Sequence, residues 1–250
     1  MRKRLRAAGI HFILSLIVAG LASILVFGVW YPYPYSEISG GRELYTVLIC
    51  VDVVLGPLLT LAIFNTSKIA KELRRDMVVV VLLQLAGLGY GLWTVFVARP
   101  VHLVFEIDRF RVVHAIDVPA DRLRSTAPGI AALPVTGPTL LAVRPFVDER
   151  EKVEATLAAL QGVDLSVRPE FWQTYAKAQA SVLEVGRPLA ELKARFPGHA
   201  AEIDQVITSQ GNLGNSMLKY VPMVGRRSFW TVIVDPLDAR PVGFLPIDSF

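Results

Sequence analysis

Three almost uncharged stretches dominate the first hundred positions, and a different rhythm follows them. Ile10 to Trp30 holds no charged residue, Leu44 to Asn65 holds only Asp52, and Met77 to Ala98 holds none. At 1.5 Å per residue each can cross a hydrocarbon core of about 30 Å as an α-helix. The pattern predicts a three-helix transmembrane bundle over residues 1–98, with helices at about 10–30, 44–64 and 77–98. The first run is too long for the apolar core of a signal peptide and no Ala-x-Ala site closes it, so an uncleaved helix is expected. It ends in Trp30-Tyr31-Pro32-Tyr33-Pro34-Tyr35, where aromatic rings favour the headgroup region and prolines stop the helix. Ser15, Ala19 and Ser23 recur at four-residue spacing along it, a pattern that lets another helix approach.

Residues 99–250 read as an α+β domain with an antiparallel sheet. Val101, Leu103, Phe105 and Ile107 alternate with His102, Glu106 and Asp108, as in a half-buried strand, and Phe110 to Val118 reads as its hairpin partner. Leu140 to Val143 is a further short strand. Asp148 with Glu151 three residues on marks a helix start, and Val153, Leu157 and Leu160 form its apolar face. Pro169-Glu170 opens a second, aromatic-rich helix with Phe171, Trp172 and Tyr175. Further helices are expected from Pro188 and from Ala200 to Gly211, then strands at Tyr220–Gly225, Ser228–Val234 and Pro241–Leu245.

Composition supports a membrane protein: 53% of the 250 residues are hydrophobic and the mean hydropathy is +0.46. The net charge of +4 invites a nucleic-acid reading, but its distribution removes it. Met1 to Asp76 carries nine Lys/Arg and five Asp/Glu, whereas Met77 to Phe250 carries seventeen of each. The basic excess flanks the apolar runs, with four Lys/Arg before the first, four after the second and only Arg42 between them. The positive-inside rule then places the N-terminus in the cytoplasm and the C-terminal domain outside, in the periplasm of a two-membrane bacterium. Cys50, alone and within an apolar run, supports neither a disulfide framework nor a zinc site.

Candidate chemistry is sparse. His11, His102, His114 and His199 lie at no metal-ligand spacing, and the two strand histidines read as surface residues. Glu106 and Asp108 share a strand face and read as a solvated edge. No nucleophile elbow, phosphate loop or dinucleotide fingerprint is present, so no catalytic residue, cofactor or metal is expected. Asp52 stands apart, because an intramembrane carboxylate is costly. It is a packing residue, a partner contact or, with least support, part of a transport path. The Gly56-Pro57 break needs neighbouring helices to satisfy the freed backbone. Gln84 can hydrogen-bond within the bundle, and Gly87 and Gly91 form a G-x-x-x-G pair suited first to ordinary helix packing and second to a partner.

Gly56-Pro57-Leu58-Leu59-Thr60, Phe64-Asn65 and Lys71-Glu72-Leu73-Arg74-Arg75-Asp76 resemble the type IV pilin accessory proteins, the TfpX/TfpZ group. Gln84, Tyr90-Gly91-Leu92-Trp93, Ala98-Arg99-Pro100 and Val104 to Val113 continue the resemblance, while Pro119 to Asn215 carries no motif of it. The resemblance implies an inner-membrane accessory or chaperone without catalytic activity that helps the major type IV pilin remain stable and assemble. On that reading Asp52, Gly56, Pro57, Gln84, Gly87 and Gly91 are candidates for the intramembrane half of a pilin-binding groove, with the pilin's periplasmic head meeting the outer domain. The competing class is a membrane-anchored periplasmic sensor or signalling protein, whose cytoplasmic parts would need a second protein to relay the signal.

Overall fold

A computed structural model describes residues 2–64, 69–209 and 218–250. The chain divides into two compact units, Met1–Arg99 and Pro100–Phe250.

The first unit contains three helices long and apolar enough to span a membrane: α1 (Arg2–Trp30), α2 (Gly41–Ile63) and α3 (Ala70–Val97). Both α1 and α3 begin earlier than the apolar runs, because their basic lead-in residues are good helix formers. Lys71, Arg74 and Arg75, expected in a loop, therefore lie on the first turns of α3; Asn65, Thr66 and Lys68 fall outside the described residues. Two segments widen to π-helical pairing, Val26–Trp30 at the end of α1 and Cys50–Leu55 within α2.

The second unit is built on one eight-stranded sheet. Its strands are β1 (Pro100–Glu106), β2 (Arg109–His114), β3 (Thr139–Val143), β4 (Trp172–Thr174), β5 (Arg187–Pro188), β6 (Lys219–Val224), β7 (Phe229–Val234) and β8 (Pro241–Leu245). The order is β4-β3-β1-β2-β6-β7-β8, with β5 paired to β6. Both strand groups join one sheet, as expected, but the sheet is mixed and not antiparallel: β1 runs parallel to β3 and β2 runs parallel to β6. The cause is connectivity. The β1–β2 hairpin returns the chain to the end where β1 began, and the 115–138 connection crosses over so that β3 starts beside it. Among the described residues four α-helices accompany the sheet: α4 (Glu149–Leu160), α5 (Gln179–Val185), α6 (Leu189–Arg195) and α7 (Ala200–Ser209). The expected end of α7 at Gly211 lies outside the described residues.

Four further expectations are corrected by the structure. Every residue of β1 is buried, so this is a central strand covered on both faces and not a half-exposed one. His102 and His114 are core residues and not surface ones. His102 lies edge-on to Trp172, with Nδ1 2.7 Å from Thr139 Oγ1 and Nε2 3.0 Å from the Ala132 carbonyl. Glu106, expected at a solvated edge, is buried and accepts the Ser166 N–H at 3.0 Å, while Asp108 sits exposed in the turn with Arg109 at 2.7 Å. The aromatic segment after Pro169 is not a helix. A single 3₁₀ turn, Pro169–Phe171, leads into β4, which takes the free edge of β3 through Val143↔Trp172.

Helix α4 begins as its residues dictate, with Asp148 Oδ1 accepting the Glu151 N–H at 2.7 Å. Its buried face is nevertheless the one carrying Ala155, and Val153, Leu157 and Leu160 are exposed. Arg144 explains the rotation. It grips both Glu151 carboxylate oxygens at 2.9 and 2.7 Å and also lies over the Phe171 ring. That bidentate pair and the Val147 N–H hold the Glu151 carboxyl at about 2. Over β6–β8, Leu189 and Leu192 of α6 and Ile203 and Ile207 of α7 pack with Tyr220, Ile233 and Leu245. Each such aliphatic side chain, fully buried, contributes roughly 1.5–3 kcal/mol.

Burial pushes the His102 imidazole down to about 4, against the opposing bond to Ala132. An unfolded histidine titrates near 6.5, so between the two values the unfolded chain binds more protons. This contribution is complete above pH 6.5 and is lost as pH falls toward 4, by about 3 kcal/mol. Unfolding of the full chain, followed by tryptophan fluorescence across that range, is expected to show the loss, and His102→Gln is expected to flatten it.

Candidate functional site

The site begins with a missing donor. Pro57 has no N–H, and in the π-helical register of Cys50–Leu55 the carbonyl five residues back is that of Asp52. Gln84 of α3 supplies the absent bond, its Nε2 donating to the Asp52 carbonyl at 3.2 Å. Gly56 makes room, for a Cβ there would stand 1.9 Å from Gln84 Nε2. Gly56, Pro57, Gln84 and the main chain of Asp52 therefore form one interhelical joint.

Other polar contacts complete the bundle. His11 Nδ1 and Thr60 Oγ1 lie 2.5 Å apart and tie α1 to α2. The Tyr45 hydroxyl donates to the Ala19 carbonyl. The Tyr31 hydroxyl donates to the Val95 carbonyl at 3.0 Å, which ties the end of α1 to the end of α3. Gly41 and Gly91 permit close approach, to the Tyr31 ring and to Leu48 respectively. Trp30, Trp93 and Phe96 gather at that same end, with Trp30 and Phe96 ring centres 5.1 Å apart. The basic residues Arg2, Lys3, Arg4 and Arg6 open α1, and Lys71, Arg74 and Arg75 open α3.

Between these ties α2 packs on both neighbours and is the most buried of the three. A groove of about 310 Å³ is left between α1 and α3, with α2 along it. Ser15 and Val18 line it from α1, Ile49 and Asp52 from α2, and Val81 and Gln84 from α3. The lining is apolar apart from Asp52, Gln84, Ser15, His11 and the Tyr45 hydroxyl. Chemically it offers an apolar slot with a few hydrogen-bonding side chains and no constellation for bond-breaking. Among the described residues no group of three His, Cys, Asp or Glu is placed to hold a metal ion.

The six predicted residues thus separate. Asp52 and Gln84 line the groove. Gly56 and Pro57 belong to the joint, and Gly91 is packed against Leu48. Gly87 lies on an exposed part of α3, and beyond its own stretch of helix backbone no described atom comes within 4 Å of where its Cβ would be. The Ser15–Ala19 stripe does face the groove, with Ala19 buried. Sequence reasoning passed over His11 with Thr60 and Tyr45 with Ala19. The available signal was a polar side chain in each of two apolar runs, but nothing in their spacing says which one pairs with which.

The chain thus combines a bundle of three candidate membrane spans that encloses an apolar groove with a separate mixed-sheet domain. The first 40 residues match the family model of the fimbrial assembly protein FimB. The chain is 35% identical to the fimbrial assembly protein of serogroup I of Dichelobacter nodosus, over 92% of this chain and 90% of that one. It is 33% identical to the serogroup E1 protein of the same organism, with the same coverage, and 42% identical to that of serogroups C1 and C2 over 47% of this chain and 90% of that one. The chain belongs to the fimbrial assembly protein FimB family, in keeping with its resemblance to the pilin accessory proteins. No solved structure matches it.

The glycines give a sharp contrast to test. Gly91→Ala is expected to force Leu48 aside and cost about 1–3 kcal/mol, seen as a lower Tm of the protein in detergent. Gly87→Ala, in open space, is expected to leave Tm unchanged or raise it slightly.

Proposed function

We propose that this protein is an inner-membrane accessory of type IV pilus assembly that receives the transmembrane helix of the major pilin in the groove between α1 and α3 and keeps that pilin stable until it is assembled. The observation that carries this reading is the groove itself, about 310 Å³ and apolar, in a chain whose relatives are named for fimbrial assembly. Lipid tails are as apolar as leucine, so a helix gains little from apolarity alone by entering such a slot. It gains from close packing against Ser15 and Ala19, and from hydrogen bonds to groups such as the Asp52 carboxyl and Gln84. A client held there is kept from aggregating through its one apolar helix.

Orientation belongs to the same proposal. The basic ends of α1 and α3 favour the cytoplasmic side, and the Trp30, Trp93 and Phe96 cluster favours the opposite interface. The sheet domain then stands in the periplasm, where a pilin head would be within reach. No step of this function requires catalysis, and the protein acts by binding.

Two measurements test it. A photo-crosslinking side chain at Leu85, on the groove wall, is expected to capture pilin in membranes, and filling the groove with Ser15→Phe and Val81→Phe is expected to lower capture about tenfold or more. Equal capture by the filled variant would overturn the groove. A reporter fused after Phe250 is expected to be active only on the periplasmic side, and activity confined to the cytoplasm would remove the geometry on which the reading rests.

A further inference from the structure

The groove between α1 and α3 runs toward the end of the bundle at which both helices begin, and the residues that carry its walls onward there are cationic. Its lining reaches Ala7 on α1 and Met77 on α3. In an α-helix, residues three, four and seven apart share a face. Arg4 stands three positions before Ala7 and seven before His11, and Arg74 stands three before Met77 and seven before Val81. Each therefore extends one wall of the groove outward by a turn. Lys3, four positions before Ala7, lies at the margin of the same face. Side chains on a helix lean back toward its start, here out of the mouth of the groove.

These cations are free for a partner. Lys3 and Arg74 are exposed and Arg4 is half-buried, and among the described residues none of the three forms an ion pair. The carboxylates of this end lie elsewhere on α3. Asp76 faces Arg75 at 3.9 Å, and Glu72, five positions before Met77, projects from the side of the helix away from the groove. Asp52 lies deeper, at the level of Gln84, about 10 Å along α3 from Met77. Behind the mouth the slot of about 310 Å³ is apolar and open along its length, with Leu14, Val81 and Leu85 on its walls all exposed. From Ala7 to Ala22 it measures roughly 22 Å, longer than the roughly 15 Å that the chains of one leaflet occupy. In a bilayer the atoms lining a vacant slot forfeit their contacts, and a lipid chain is the apolar partner always at hand. The mouth then decides which lipid. Guanidinium groups match a phosphate with paired N–H donors, and cations at the surface favour a headgroup of net negative charge over one that also carries an ammonium.

We infer that the groove is a site for an anionic phospholipid, its phosphate held by Arg4 and Arg74 with Lys3 beside them and one acyl chain lying in the slot. A chain offers no hydrogen bond to Asp52 or Gln84, so it yields to a helix that does. That exchange rests on the pilin reading, whereas the lipid site itself does not.

The test uses the full chain and no pilin. Native mass spectrometry of the protein, released from micelles doped with equal amounts of phosphatidylglycerol and phosphatidylcholine of identical chains, reads which lipid is retained. Phosphatidylglycerol is expected to be retained about tenfold more than phosphatidylcholine, the margin that two cations near a headgroup supply. Arg4→Gln with Arg74→Gln is expected to bring the two lipids level. Arg2→Gln with Arg75→Gln, which removes the same charge from faces turned away from the groove, is expected to keep the preference. Ser15→Phe with Val81→Phe, which fills the slot, is expected to lower phosphatidylglycerol retention about tenfold, the loss of roughly one chain's packing. Inorganic phosphate is expected not to compete. Equal retention of the two lipids by the wild type, a preference that survives loss of Arg4 and Arg74, an equal loss in both arginine pairs, or undiminished retention by the filled variant would each overturn the site. Competition by phosphate would overturn the lipid in favour of a free-anion site. Pilin capture, whichever way it falls, leaves all of these readings unchanged.

Discussion

The architecture of the helical unit depends on one carbonyl that its own helix cannot satisfy. In hydrocarbon an unmet backbone oxygen costs several kcal/mol, and Pro57 guarantees one within α2. Gln84 meets it, and Gly56 lets Gln84 come close enough to do so. The consequence is positional. The helix carrying the break must touch the helix carrying the glutamine, and it also receives His11 from the other side at Thr60. With α2 committed to both neighbours, α1 and α3 are held apart alongside the joint, and the groove is the space that remains.

The sheet domain obeys the same rule with different groups. Because β1 is covered on both faces, the polar side chains His102 and Glu106 are buried with it, and the chain folds so that each finds partners. The 115–138 connection brings the Ala132 carbonyl to His102, and the turn before Pro169 brings the Ser166 N–H to Glu106. Segments without regular structure are thus placed by buried polar atoms as much as by apolar contact. Ser166 illustrates this, since its carbonyl also takes the Trp172 indole at 2.8 Å and so anchors the start of β4.

Local features of the fold were legible in the sequence, and non-local ones were not. Three apolar runs, the β1–β2 hairpin, the Asp148 cap and the Leu189–Leu192 face all follow from periodicity or from chemistry within four or five residues. The mixed pairing of β1 with β3 and of β2 with β6 depends on where long connections deliver the chain, which alternation does not encode. The face of α4 was misread because its apolar stripe is real but Arg144, bound to Glu151, turns the helix the other way. His114 looked like a surface residue because its strand alternates, yet the strand is interior. At the candidate site the residue types were visible, but the division between joint and groove was not. It depends on a side chain of α3 reaching a carbonyl of α2, which no spacing within either helix reveals.

That division bears on what Asp52 is for. The joint uses its main-chain oxygen, and any residue at that position would present the same carbonyl. The carboxylate is therefore not needed to hold the bundle together through Gln84, although placing it in an apolar span costs roughly 2.5–3.5 kcal/mol on insertion scales. The Asp52 side chain lines the groove, and the joint uses only its main-chain oxygen. It sits on the π-helical turn that ends just before Gly56 and Pro57. One break in a helix accounts for both features: it requires Gln84 as a partner on one side and presents a polar contact to the open slot on the other.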